Sequence, residues 1–368
     1  MMNRLSKMYH WLYIRLKYGF HLKNPTYPFL IIKNLLRAKW NRLTGKQNFV
    51  LRGIDFAVTY NCNFNCEHCY SMKLKDNQQK RLTPEEYASI CKQSMELGCV
   101  CFSLQGGEVF VRKDWEEIIN AFMPKRNHLL ITTNASLLDE ARIVRLKELG
   151  VDTLYFSLDS GLPAEHDAFR RADGNFAKIM ECIGFCNKHS VKVVINTCVT
   201  KQNLHSAGLK ALLDYSHANH ILVETIFARG LGNLDGHMEY MLDEQDVRDY
   251  YELRKNYPYV VRNLDNNYQE WGCPGMKEVL YITAYGEVCP CPYTHISMGN
   301  VRLEPLRTIR ERGLQRQWWN HYHQECLTAQ DQTFKEQYYK LIDGRPIITI
   351  EEFEKGELDP NNRLSTLC

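Results

Sequence analysis

The sequence predicts an α/β fold: a partial (β/α)6 TIM-like barrel followed by a small C-terminal β-hairpin/helix domain. Three observations carry that reading. From Asp55 onward, six apolar β-rich runs alternate with amphipathic helical patterns. Near residue 285 the apolar positions alternate around a glycine turn, as in a hairpin. Residues 1–54 contain no Asp or Glu and stand apart in composition from the rest. Strands that regularly alternate with helices pair in parallel through right-handed crossovers, and in such barrels chemistry sits at the C-terminal strand ends.

The leader, residues 1–54, reads as two helices. Leu5, Met8, Leu12 and Leu16 recur at helical spacing, and so do Ile32, Leu35, Leu36 and Leu43. It holds 11 of the 46 Lys and Arg residues, leaving 35 basic and 43 acidic residues, a net of −8, in the body. Tyr9, Trp11, Tyr13, Tyr18 and Trp40 add interfacial side chains. Such a helix pair either lies on an anionic membrane surface or docks as an arm on the acidic body. Nucleic acid is not expected, because no recognition module appears elsewhere. Arg15, Lys17 and Lys33 break the apolar stretches before they reach spanning length, and no cleavable signal peptide is visible. The 14 cysteines form no secreted disulfide framework. The expected setting is a reducing cytoplasm, with membrane association through the leader as an extension.

The strand candidates are residues 55–60, 99–106, 128–134, 151–159, 192–200 and 220–228, rich in Val, Ile, Thr and aromatics. Helical patterns lie between them, from Pro84 to Leu97, Trp115 to Phe122, Leu138 to Leu149, Phe176 to His189 and Leu204 to Ser216. Thr83-Pro84-Glu85-Glu86 has the form of a capping box with proline in the first turn. The expected divisions are the leader (1–54), the barrel (55–235), a polar helical linker (236–272), the small domain (273–330) and a C-terminal tail (331–368).

After the first strand comes CNFNCEHC, which places Cys62, Cys66 and Cys69 at Cys-x3-Cys-x2-Cys spacing. A zinc site pairs distant Cys-x2-Cys knuckles or adds histidines, and an electron carrier brings a fourth cysteine. Three thiolates on one tight loop leave one iron of a cubic cluster open to a substrate or cofactor. This run resembles the signature of the radical S-adenosylmethionine (radical SAM) enzymes, with His68 at the position where that family favours an aromatic residue. The resemblance implies a [4Fe–4S] cluster whose open iron chelates SAM. An electron from the reduced cluster would cleave SAM to a 5′-deoxyadenosyl radical, which abstracts hydrogen from a substrate.

Other strand ends extend the resemblance. Gly106-Gly107-Glu108 closes the second strand; glycines admit close backbone approach, and the family's GGE motif holds the SAM amino group. Thr133-Asn134 closes the third strand and looks like the family's threonine–asparagine turn, which shapes the pocket. Ser157 and Asp159 end the fourth strand and precede Arg170. In similar peptide-modifying members the serine and arginine bind the SAM carboxylate, a task that suits the guanidinium fork. Arg171 is adjacent and competes for that role. Asn196 on the fifth strand is either a ribose contact or an ordinary loop cap. Cys198 reads as core or as a hydrogen donor to a substrate radical.

A second cysteine set begins at Cys273, which with Gly286 and Cys291 gives Cys-x12-Gly-x4-Cys, and Cys326 follows. A hairpin brings Cys273 and Cys291 together, and strand alternation places Cys289 on the same face as Cys291. The arrangement resembles the auxiliary-cluster domains called SPASM or twitch. The implied auxiliary [4Fe–4S] cluster is held by Cys273, Cys291 and Cys326, with Cys289 as fourth ligand or an iron left open.

The expected function is therefore SAM cleavage and hydrogen abstraction, serving oxidation, cross-linking or maturation of a peptide, sugar or membrane-lipid-linked substrate. An external one-electron reductant, flavodoxin- or ferredoxin-like, is implied. The competing class is a non-catalytic iron–sulfur or zinc-binding interaction module, which would neither bind nor cleave SAM.

Overall fold

The computed structural model describes residues 26–44, 49–262 and 272–356. The first leader helix expected around Leu5–Leu16 and the terminal Cys368 lie outside those residues. The sheet is built by β1 (Gly53–Thr59), β2 (Cys101–Gly106), β3 (His128–Thr133), β4 (Thr153–Ser157), β5 (Lys192–Val199) and β6 (Leu222–Phe227), all parallel neighbours in chain order. Helices Pro84–Glu96, Trp115–Ala121, Glu140–Leu149, Asn175–Lys188 and Ala207–Ala218 lie between them, at the positions the sequence patterns indicate. Thr83 closes the expected capping box: its side chain accepts from Glu86 N while Glu86 accepts from Thr83 N. Alternate strand residues (Phe56, Phe102, Leu104, Ile131, Phe156, Ile195) are fully buried in one continuous core. An apolar period of two on each strand is what produces that layer.

The sheet has nine strands rather than six. A short β7 (Val260–Arg262) adds in parallel beyond β6. On the opposite edge, β8 (Val279–Ile282) pairs in parallel with β1, with Gly53 opposite Val279, and folds back antiparallel onto β9 (Val288–Cys289). The predicted hairpin therefore forms, but it continues the barrel sheet instead of standing beside it. The stretch expected as a tail also folds. Helices Gln332–Ile342 and Ile350–Lys355 bury Phe334 and Phe353 against Trp319, and Tyr338 against Phe334.

The leader helix α1 (Thr26–Leu43) docks with an unusual face. Tyr27, Asn34, Ala38 and Asn41 are buried, whereas Phe29, Ile32, Leu36, Trp40 and Leu43 are 52–74% exposed. Asn34 Nδ2 donates to Gly98 O at 2.8 Å, and Tyr27 lies against His128. Gly98 precedes β2 and His128 opens β3, so α1 covers the barrel end opposite the C-terminal strand ends. Among the described residues, no helix is long and apolar enough to cross a membrane.

Residues on the other face of the strands line the barrel interior, and one of them is a carboxylate. Burial pushes the Asp55 carboxyl up to about 6, against a hydrogen bond from Ser103 and the charge of Arg52. A raised acid binds more protons folded than unfolded, so the stability it contributes is full below pH 3.8 and is lost as pH rises through 6. Asp55→Asn should therefore stabilise the fold at pH 7–8 by on the order of 2–3 kcal/mol and raise its melting temperature. The gain should vanish below pH 4 in a thermal-melt series.

Candidate active site

The C-terminal strand ends open into a cleft enclosing about 950 Å³, solvent at its mouth included. Its floor is the loop after β1. Cys62, Cys66 and Cys69 all line it, as do Gly106, Gly107, Thr133, Asn134, Ser157, Arg170 and Asn196. The loop is held by short local contacts: Phe64 N donates to Cys62 Sγ at 3.4 Å and Cys69 N to Cys66 O at 3.2 Å. Burial pushes the Cys62 thiol up to about 12. Such buried sulfurs suit a metal that displaces their protons better than free thiolates.

The two glycines are needed by the chain itself. Gly106 has φ +124°, and a Cβ there would meet Thr59 O at 2.2 Å; a Cβ on Gly107 would meet Asn61 O at 2.2 Å. They let β2 seat the cysteine loop through Gly107 N to Thr59 O (2.7 Å) and Glu108 N to Asn61 O (2.9 Å). The Glu108 carboxylate lies behind the cleft wall, fully buried, and not in the cleft. It accepts from Thr133 Oγ1 and Asn134 N, each at 2.9 Å, and from Phe110 N at 3.2 Å. Asn134 in turn reaches Cys62 Sγ at 3.8 Å and Asn63 Oδ1 at 3.1 Å.

Arg170 ends the helix Pro163–Arg170 and enters the site, while Arg171 takes a left-handed cap conformation (φ +51°) and is exposed. Arg170 Nε donates to Asp159 Oδ2 at 2.6 Å, and its Nη1 lies 3.9 Å from Cys66 Sγ. Asp159 also accepts from Cys198 N at 2.8 Å, which ties the pair to β5. His68 stacks on Phe169 at 4.3 Å, and burial together with Arg170 lowers it to about 3, so it packs the loop as a neutral ring. Cys198 lines the cleft wall.

The second set gathers on the far side of that wall. Cys273, Cys291 and Cys326 are close enough that each thiol feels the charge of another. Cys273 N is fixed to His323 O at 2.7 Å, and Cys291 Sγ lies 3.3 Å from Thr294 Oγ1. Cys289 feels the charge of Cys291 as well, but sits in a different setting. Its strand ends at Cys289, and the chain turns at Pro290, which breaks the alternation that would have put Cys289 beside Cys291. Cys289 packs instead in an apolar pocket with Tyr60, Tyr281 and Tyr285.

Sequence reasoning missed the residues between the two sets. Arg229, just past β6, and Tyr293 line the cleft; Arg229 Nη2 donates to Cys326 Sγ at 3.2 Å with its guanidinium 4.1 Å from the Tyr293 ring. Tyr70 packs edge-on against Tyr293 at 5.0 Å. A position just past a barrel strand was the available signal for Arg229. Among the described residues no three His, Cys, Asp or Glu side chains converge on a single ion. A cubic cluster, with its irons at separate corners, asks for sulfurs spread around it.

Comparison with known proteins agrees with this geometry. The radical SAM superfamily matches residues 56–207, and the iron–sulfur cluster-binding domain called SPASM matches residues 273–331. The AdoMet-dependent heme synthase of Nitratidesulfovibrio vulgaris is 26% identical over 286 residues, covering 70% of this chain and 77% of that protein. The antilisterial bacteriocin subtilosin biosynthesis protein AlbA of Bacillus subtilis is 24% identical over 283 residues, covering 72% and 60%. Among solved structures, Streptococcus suis SuiB bound to precursor peptide SuiA superposes with a TM-score of 0.60 at 18% identity, over 73% of this chain and 67% of that one. The two domains imply [4Fe–4S] clusters and SAM, and two triads of buried or half-buried cysteines are present to receive the clusters. The chain belongs to the radical SAM superfamily and carries a SPASM-type iron–sulfur domain at its C-terminal side.

Proposed function

We propose that this protein is a radical SAM oxidoreductase or maturase working in the cleft between its two cysteine triads. The observation that carries the reading is that one cleft is lined by the Cys62–Cys69 loop and, through Arg229 and Tyr293, backs onto the auxiliary cysteines. Cys62, Cys66 and Cys69 would hold the SAM-binding cluster, and Cys273, Cys291 and Cys326 the auxiliary one. When bound and reduced by a flavodoxin- or ferredoxin-like donor, the first cluster supplies reductive cleavage of SAM and a hydrogen-abstracting radical. Arg170 is held by Asp159 so that its remaining N–H groups face the cleft and can fork a carboxylate. Ser157 and Asn196, directly paired across β4 and β5, add polar contacts on the same wall. Glu108 acts through Thr133 and Asn134 as a positioning residue.

The test is 5′-deoxyadenosine formation by anaerobically reconstituted, dithionite-reduced protein. A protein that neither binds nor cleaves SAM would be the interaction module instead. Added soluble peptide and metabolite fractions, against membrane-lipid extract, would identify the substrate class.

The leader helix supports membrane association of a particular orientation. The exposed stripe of Phe29, Ile32, Leu36, Trp40 and Leu43 is flanked by Lys33, Arg37 and Lys39, a pattern suited to an anionic bilayer. Because α1 covers the opposite barrel end, docking on that stripe turns the cleft away from the lipid. A substrate arriving from water, a peptide or small soluble molecule, fits this better than a lipid-linked one. The full chain should co-sediment with phosphatidylserine vesicles. Phe29→Ser with Trp40→Ser should weaken binding by on the order of a hundredfold or more, from roughly 2 kcal/mol of apolar burial per ring, with deoxyadenosine formation unchanged. Equal vesicle binding by variant and parent would refute the docking.

A further inference from the structure

Among the described residues, the auxiliary cysteines sit beside two buried cations, Arg229 and Lys277, that make no close ion pair with a carboxylate. Arg229 is 4% exposed and Lys277 fully buried. Arg229 gives Nη2 to Cys326 Sγ at 3.2 Å and Nη1 to Phe227 O, while its Nε has no acceptor. Lys277 Nζ reaches only Trp319 O at 3.5 Å, 5.5 Å from the Tyr322 ring. Among the described residues neither cation forms an ion pair with Asp or Glu. An unpaired buried charge is costly, so the compensating negative charge must come from the site itself, which is the three sulfurs and what they hold. The first triad is different. Its one close cation, Arg170, is already neutralised by Asp159 at 2.6 Å.

Resting on the assignment of Cys273, Cys291 and Cys326 as auxiliary-cluster ligands, we propose that Arg229 sets the potential of that cluster. Its fixed charge and its hydrogen bond to Cys326 sulfur raise that potential above the SAM-binding cluster's. The physics is that of a one-electron couple. Reduction adds a negative charge to the cluster, and hydrogen bonds and positive charge at the sulfurs favour the reduced form. Lys277, on the Cys273 side, adds to the same field. Because Arg229 also lines the cleft, it stands between the reacting substrate and the cluster, placing an electron sink directly behind the cleft wall. The auxiliary site is thus tuned to take an electron from the cleft, which favours an oxidative net reaction. Arg229 is a positioning and electrostatic residue in this scheme, acting through Cys326.

The test is a potentiometric titration of the reconstituted full chain followed by electron paramagnetic resonance, on the parent, Arg229→Gln and Arg229→Lys. The SAM-binding cluster is recognised by the change in its signal when SAM is added. Arg229→Gln should shift the auxiliary couple downward by at least tenfold in its reduced-to-oxidised ratio at fixed potential, equivalent to 59 mV for one electron. Arg229→Lys, which keeps the charge without the planar fork, should shift it less, and the SAM-binding couple should stay put in both. An auxiliary potential unchanged or raised in Arg229→Gln, with iron content equal to the parent, overturns the inference and leaves the ligand assignment standing. Should Arg229→Gln lose the cluster, Arg229→Lys alone decides, and no downward shift in it overturns the inference. A parent chain whose iron is undiminished by Cys326→Ser refutes the ligand assignment, and the inference falls with it.

Discussion

Replacing Cys66 with Ala is expected to abolish formation of 5′-deoxyadenosine while the auxiliary iron remains. Cys66 is the most buried sulfur of its loop, 7% exposed, and the nearest to Arg170. No neighbour is positioned to substitute for it. His68 is stacked on Phe169, and Cys198 belongs to the wall formed by β5, fixed by its backbone to Asp159. Losing a partner outside the ligand sphere typically costs 10–100-fold in metal affinity or activity. Losing a ligand from a three-cysteine loop should exceed roughly a hundredfold. Iron and sulfide should fall by about half, since only one of two cubes is lost. Cys326→Ser should give the converse, with SAM cleavage retained and auxiliary iron diminished. Deoxyadenosine formed equally by Cys66→Ala and parent would remove the assignment.

The contrast between the two cysteine sets shows what sequence can and cannot convey. Cys62, Cys66 and Cys69 lie within eight residues, so local chain geometry alone brings them to one cleft wall. The six barrel strands were equally legible, because alternating β-branched and aromatic residues encode a buried face directly. The added strand β7 has three residues, too few for a period to register. The helix ending at Arg170, PAEHDAFR, buries only His166, so it carries no apolar stripe. Pairing of β8 with β1 joins residues more than two hundred positions apart, and no local pattern specifies such a contact. Strand alternation alone does not place Cys289 beside Cys291, because the strand ends at Cys289 and Pro290 follows. Glu108 was visible as part of a motif, but whether a carboxylate faces the cleft or the wall behind it depends on neighbours from another strand. Arg229 has no motif at all; its partners are a sulfur almost a hundred residues away and a ring from the hairpin segment.

Removing Arg170 should cost nearly as much as removing a cluster ligand, by a separable route. Burial pushes the Asp159 carboxyl up, but the Arg170 charge, aided by the Cys198 N–H, pulls it down and the carboxyl is lowered overall. A lowered acid stabilises the fold above its unfolded pKa, and that contribution is lost as pH falls through the folded value. Arg170→Met would leave Asp159 charged and buried without its counter-ion, a loss of about 3–5 kcal/mol at pH 7. Without Arg170, burial raises Asp159, so the deficit should begin to shrink above pH 4 as Asp159 takes up a proton and go on shrinking toward lower pH, and thermal melts across pH would show the convergence. Asp159→Asn in the same chain should recover most of the stability, because the uncompensated charge is gone. It should not recover affinity for SAM. The lost fork is worth about 1.5–3 kcal/mol as a charged hydrogen bond, so equilibrium dialysis should find SAM bound ten- to a hundredfold more weakly in both variants. If the double variant regained SAM binding along with stability, Arg170 would be a structural partner of Asp159 and nothing more. Persistent weak binding in a stable fold would instead mark its free N–H groups as the ones that meet the ligand.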